Sequence, residues 1–158
     1  MSTKMPGRFW DTSALVKHYH PELGTPKADT LLQASGLQHV ISRLGITETF
    51  SVFAGKVRAG LVTQVEFVKL CRRFLADARG KLFSVARLLV AHHKEAERLL
   101  RTYGPQAGQG IRTLDALQLA VALDLRNKGA IDTLVSSDAR LLTVAQAEGL
   151  PIINPEQP

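Results

Sequence analysis

The chain has 158 residues, 45% of them hydrophobic, with 20 Lys and Arg against 14 Asp and Glu and a formal charge of +6. That is enough apolar material for one domain with its own core, without metal or disulfide staples, and the single cysteine, Cys71, excludes an internal disulfide framework and makes a reducing cytoplasm the expected setting. No stretch has the roughly 18 uninterrupted apolar residues that a membrane helix needs, and no apolar leader follows Lys4 and Arg8, so a soluble, unexported protein without a membrane partner is expected.

The chain opens with a strand-like RFW at 8–10, followed at once by Asp11 and a helix over 12–18. A second helix over 26–34, bounded by Gly24, leads to the strand-like LQHVIS at 37–42. Two longer amphipathic segments, 45–59 and 63–79, are separated by Gly60, and after Gly80 comes a short strand, KLFSV, at 81–85. A helix over 87–101 then meets TYGPQAGQG at 102–110, whose three glycines and one proline mark a loop. The run IRTLDALQLAVAL falls in a helix over 112–128 and is apolar nearly all round, so burial on most of its circumference is expected. Beyond Gly129, DTLVSS at 132–137 is strand-like, 138–148 is helical up to Gly149, and PIIN at 151–154 ends the pattern as a strand. This alternation predicts an α/β fold, a parallel sheet covered by helices, in one domain over 1–158 with no repeat or linker.

In an open α/β sheet, function gathers outside the carboxyl ends of the strands. Asp11 follows the first strand and Asp138 follows DTLVSS, while Glu48 and Asp115 sit in the opening turns of two helices. Each has an ordinary explanation by itself. Asp11 and Asp138 can cap helices, Thr113 can cap the helix that holds Asp115, and Asp115 complements the positive end of the macrodipole. Together the four would converge on one side of the sheet, where a like-charge pair at about 4 Å costs on the order of 4 kcal/mol at an effective dielectric near 20. Such a site needs raised pKa values or a cation. All-oxygen ligands suit Mg²⁺ or Mn²⁺ rather than zinc. The five histidines supply no alternative cluster, and surface or packing roles are expected for them, His39, His92 and His93 included.

At these residues the chain resembles a known family. FWDTSALVKHYHPE, ITETF, IRTLDALQLA and LVSSDARLLTVAQAEGL look, in order and spacing, like the four acidic motifs of PIN-domain ribonucleases, and in particular of VapC-type toxins. The resemblance implies a PIN-like three-layer α/β/α domain with a central, mainly parallel, roughly five-stranded sheet. It implies Asp11, Glu48, Asp115 and Asp138 as catalytic, metal-binding acids, with Thr12, Ser13 and Ser137 as supports. Gln118 stands outside the acidic set, where family members often carry His, and the loop at 102–110 is longer than the pattern suggests.

The implied activity is Mg²⁺- or Mn²⁺-dependent hydrolysis of RNA phosphodiester bonds, leaving a 5′-phosphate and a 3′-hydroxyl. The basic charge balance suits an RNA backbone, and Arg112, one turn before Asp115, is a candidate phosphate contact. The implied partners are a cognate VapB-like antitoxin and a second copy of the chain, because the region 49–75 carries more apolar side chains than one core-facing stripe needs. A catalytically silent RNA- or antitoxin-binding module is the alternative. A haloacid-dehalogenase-type phosphatase would want an Asp where Ser13 stands, and a receiver domain would want a Lys in PIINPEQP, which has none.

Overall fold

Alternation of side chains along the central strands sets the architecture. In the computed structural model, which describes residues 5–108 and 110–158, β1 (Gly7–Trp10) lies between β2 (Gln38–Ser42) and β4 (Thr133–Val135), with Phe9 opposite both Val40 and Leu134. Neighbouring side chains on a strand point to opposite faces. Phe9, Val40 and Leu134 therefore share one face, Trp10, Ile41 and Val135 share the other, and each trio belongs to a separate buried cluster. β3 (Ser84–Ala86) and β5 (Ile152–Ile153) extend the sheet to the order β3-β2-β1-β4-β5, parallel at every junction.

Both faces are covered, as a parallel sheet requires. Over Trp10 lie α1 (Thr12–Tyr19), α2 (Thr25–Gln33), α3 (Arg43–Arg58) and α4 (Gln64–Arg79), which contribute Leu15, Leu32, Phe53 and Phe74 to the core. Tyr19 meets Phe53 and Phe74 edge-on, with ring centres 6.1 and 5.4 Å apart. Over Phe9 lie α5 (Val90–Tyr103), α6 (Thr113–Asn127) and α7 (Ala139–Ala147). Every residue of α6 from Ala116 to Leu123 is buried, as its apolar run predicts. Each large side chain taken wholly out of water in these layers contributes about 1.5–3 kcal/mol. At the far edge, a Cβ on Gly7 would stand 2.2 Å from the Ala130 carbonyl oxygen, so only glycine lets β1 start so close to that turn.

The three-layer α/β/α arrangement and the five-stranded parallel sheet follow the sequence expectation, with local shifts. The third strand runs over 84–86 rather than 81–85, because the turn that follows α4 takes up residues 80–82, with Phe83 buried in the Trp10 cluster just before the strand. α5 starts at Val90, after an extended 87–89 whose Leu89 N–H donates to His92 Nδ1 at 2.9 Å, and it continues to Tyr103. That extension takes the first two residues of the expected 102–110 loop into the helix; Gln109 of that loop, like Lys4, lies outside the described residues. His39 and His92 are buried packing residues, bonded to Trp10 (3.0 Å) and Asp124 (2.8 Å) respectively, and His93 is exposed. Among the described residues no helix is long and apolar enough to cross a membrane.

Candidate active site

The register brings three strand ends level. Trp10 pairs with Val135, and Ile41 follows the Phe9–Val40 pair, so the chain leaves β1 at Asp11, β4 at Ser136 and β2 at Ser42 along one edge. α1 starts directly from the first of these ends, α3 from the last, and α7 three residues beyond Ser136, behind Asp138. α6 delivers Asp115 to the same place, where it feels the charges of Asp138 and Asp11.

Asp11 is buried, 4% exposed, and caps α1. Its Oδ2 accepts from Ser13 Oγ at 2.6 Å, from Ser136 Oγ at 2.9 Å and from the Ser13 N–H at 3.4 Å. Ser13 Oγ itself accepts from the Ser137 N–H (2.9 Å), and Ser136 Oγ from the Asp138 N–H (3.0 Å), which leaves both hydroxyl protons for Asp11. All of this falls on Oδ2, and Oδ1 takes none of it. Burial raises the Asp11 pKa, the hydrogen bonds from Ser13 and Ser136 oppose the rise, and the Asp138 charge adds to it, leaving it above the ordinary carboxylate value. Asp138 caps α7 through Oδ1 alone, which accepts from the Arg140 and Leu141 N–H groups at 2.9 and 3.2 Å.

Glu48 stands in the second turn of α3, and its Oε1 accepts from Gln118 Nε2 at 2.8 Å. The orientation of that amide is fixed by its neighbours. Gly45 N–H donates to Ser42 Oγ (2.9 Å), so the Ser42 proton goes to Gln118 Oε1 (2.6 Å) and the amide nitrogen must face Glu48. Burial first, then the charges of Asp11 and Asp115, push Glu48 up to about 7 against the Gln118 hydrogen bond. Asp115 is pushed up to about 6 by burial, then by Asp138 and Asp11, with the Arg112 N–H and guanidinium opposing. The four acids are thus brought together and repel one another.

Several supporting roles differ from expectation. α6 opens at Arg112, with no side-chain cap, so Thr113 is not the capping residue; the Arg112 backbone instead opposes the rise in the pKa of Asp115, three residues on. Ser137 supports Ser13 with its backbone N–H, whereas its hydroxyl, like that of Thr12, is buried without a partner among the described residues. Ser13 does support Asp11, and a second hydroxyl, that of Ser136, which is outside the expected set, joins it there. Gln118, expected outside the acidic set, joins it through Glu48; it is the one polar side chain in the buried run Ala116–Leu123, and that isolation is the signal the sequence offers for it.

An acid ring of this kind offers oxygen donors only: among the described residues Asp11 Oδ1, Asp138 Oδ2 and Glu48 Oε2 carry no hydrogen bond, and the Thr12 and Ser137 hydroxyls, which follow Asp11 and precede Asp138, have no partner. Its chemistry suits Mg²⁺ or Mn²⁺. As placed, no three His, Cys, Asp or Glu side chains among the described residues converge as the ligands of one ion do, so the ring is open and would have to draw inward around a cation.

A five-stranded parallel sheet in this order, between two helical layers, is the fold of PIN domains. The structure is similar to VapC20 of Mycobacterium tuberculosis, a sarcin–ricin loop cleaving toxin, with a TM-score of 0.65 and 19% identity over 90% of this chain and 95% of that one. It is similar also to VapBC2 from Rickettsia felis, bound to a promoter DNA fragment (TM-score 0.62, 16% identity, 94% and 98% covered), and to PAE2754 from Pyrobaculum aerophilum (0.63, 18%, 96% and 85%). At these identities the likeness is one of fold. No family profile matches the chain, and no curated protein matches it in sequence.

Proposed function

We propose that the chain is a Mg²⁺- or Mn²⁺-dependent endoribonuclease, the toxin of a toxin–antitoxin pair. The observation that carries this reading is the convergence of Asp11, Glu48, Asp115 and Asp138 at one end of the sheet, where burial first, and the neighbouring carboxylates after it, raise Asp11 and push Asp115 and Glu48 up to about 6 and about 7. Crowded carboxylates destabilise a fold unless a cation relieves them. Asp11 and Asp115 would hold the ion directly, with Glu48 and Asp138 completing the site directly or through water. When bound, such an ion supplies activation of water and neutralisation of charge on a phosphodiester.

The chain's own residues prepare that site. Ser13 and Ser136 occupy Asp11 Oδ2 and leave Oδ1 free, Gln118 does the same for Glu48 by engaging Oε1, and the first amides of α7 hold Asp138 by Oδ1. Outside the four acids, only ten Asp and Glu face 20 Lys and Arg, which favours a polyanionic substrate. Arg112 is exposed at the head of α6 and suited to a phosphate.

A VapB-like antitoxin and a second copy of the chain are the partners proposed, in keeping with structural neighbours described as toxin–antitoxin complexes. Leu61, Val65 and Val68 lie exposed at helical spacing on and just before α4, beside a groove of about 280 Å³ lined by Tyr19, Val62, Leu70 and Arg73. Phe53, by contrast, is absorbed by the domain's own core.

The test is cleavage of end-labelled RNA with Mg²⁺, with Mn²⁺ and in excess chelator. Cleavage only with an ion, leaving 5′-phosphate and 3′-hydroxyl ends, is expected. Full activity in chelator with a 2′,3′-cyclic phosphate product would overturn the reading, and RNA binding without cleavage under either ion would select the catalytically silent module.

A further inference from the structure

Four carboxylates gathered at one edge repel the phosphates of an approaching RNA as strongly as they attract a cation, so a nuclease built on them needs positive charge around the ring. Three helices that open at this edge carry arginine in or beside the first turn: Arg43 is the first residue of α3, Arg112 caps α6 and Arg140 is the second residue of α7. A fourth, Arg87, is the first residue after β3. Ser42 pairs with Ala86, so Arg43 and Arg87 leave neighbouring strands side by side, about 4.8 Å apart across the sheet.

The three positions at helix starts are poor ones for fold stability. A cation at a helix N-terminus opposes the macrodipole, and α4, which starts a full helix length away, instead opens with Glu66 in a capping box with Thr63. Arg43, Arg87 and Arg140 are exposed, and none makes an ion pair or a side-chain hydrogen bond among the described residues. Basic residues that serve the fold behave otherwise: Lys17 pairs with Glu22 and Glu156, and Arg98 with Glu95 and Glu148. All four at the rim are arginine, whose planar fork grips a phosphate through two N–H groups at once.

We infer that Arg43, Arg87 and Arg140, with Arg112, form a rim that holds RNA backbone phosphates on either side of the acid ring. The inference rests on the RNA-cleaving reading, and its test needs neither metal nor cleavage. The full chain is titrated with a fluorescein-labelled oligouridylate in chelator, by anisotropy, across a series of salt concentrations. Each arginine–phosphate pairing that is removed should lower the slope of log K against log salt by about 0.7, so the triple change Arg43→Gln, Arg87→Gln, Arg140→Gln should lower it by about 2. A control that removes the same amount of charge, Arg58→Gln, Lys69→Gln, Lys94→Gln, takes away exposed cations at the end of α3, within α4 and on α5, and should leave the slope within about 0.5 of the native value.

Stability provides a second reading with the opposite sign. Arg43→Gln and Arg140→Gln should each raise the melting temperature, by about 1–3 °C, because each removes a cation from the wrong end of a helix. An equal fall in slope in the rim and control variants, or no fall in the rim variant, overturns the inference while leaving the nuclease reading intact. A lower melting temperature after either single change assigns that arginine to the fold and overturns its place in the rim. A native chain that binds no RNA overturns both readings.

Discussion

Replacing Asp115 by Asn separates a capping acid from a member of a crowded ring, because the two roles give opposite signs in metal-free protein. The folded pKa of Asp115 is about 6 against an ordinary value of 3.8. A carboxyl raised in the fold binds its proton more tightly there than in the unfolded chain. The associated penalty is therefore absent below about pH 4, grows as pH rises through 4 to 6, and is complete above. A difference of this size corresponds to about 3 kcal/mol, and since Asp115 is partly exposed, screening by solvent reduces this to about 1–2 kcal/mol. Against it stands the favourable placement of a negative charge in the first turn of α6, worth about 0.3–1 kcal/mol and forfeited in the variant. The balance favours Asp115→Asn at neutral pH by roughly 0.5–1.5 kcal/mol, or about 1–5 °C in melting temperature for a chain of this size. Thermal unfolding followed by circular dichroism in excess chelator at pH 7.5 and at pH 4 measures it directly. The gain should appear only at the higher pH, and the stabilisation of the variant by added Mn²⁺ should shrink. A variant that melts lower than the native chain at pH 7.5 in chelator, with its Mn²⁺ response intact, would return Asp115 to a capping role and remove the central support for a metal site.

Glu48, raised from 4.5 to about 7, makes the wider pH dependence visible: metal-free protein should lose stability as pH rises from 4 to 7.5, and Mn²⁺ should flatten that decline in chemical denaturation at fixed pH values. Ser136→Ala should lower RNA cleavage about 10–100-fold by releasing Asp11 Oδ2, whereas Ser137→Ala, whose hydroxyl bonds nothing among the described residues, should stay within about twofold in the same assay; equal effects would contradict the assignment of Ser136. Gln118→Leu should weaken Mn²⁺ binding by about 10–100-fold in calorimetry, and the loss should vanish in a Glu48→Gln background, since the two act through one hydrogen bond. Val65→Glu with Val68→Glu should reduce the mass seen by light scattering, or abolish antitoxin binding, without lowering the melting temperature, because both side chains are already exposed.

What can be read from the sequence, and what cannot, divides along a physical line. Helices and strands announce themselves through periodicity, and acids at strand ends are conspicuous because a carboxylate beside an apolar run is costly. The fold class needs nothing more, whereas Glu48 and Asp115, which lie inside helices, are singled out with Asp11 and Asp138 by the resemblance to PIN-domain motifs. Which hydroxyl joins that of Ser13 on Asp11 depends instead on register: Val135 pairs with Trp10, so Ser136 emerges beside Asp11 while Ser137 is carried one residue past it. A one-residue slip exchanges the two, and periodicity carries no information about register between strands more than a hundred residues apart. Gln118 is hidden for a different reason. Its partners come from β2 and α3, and only the packing of α6 against them turns a lone amide in an apolar helix into a donor for Glu48. Thr113 misleads because a residue of good capping type stands one position inside the helix, which opens at Arg112 without a side-chain cap. The acids, in other words, are local statements, and their supports are statements about pairs of distant segments. That difference makes Ser136 and Gln118 sharper tests of the assembled site than the acids, whose removal would abolish activity in almost any arrangement of the chain.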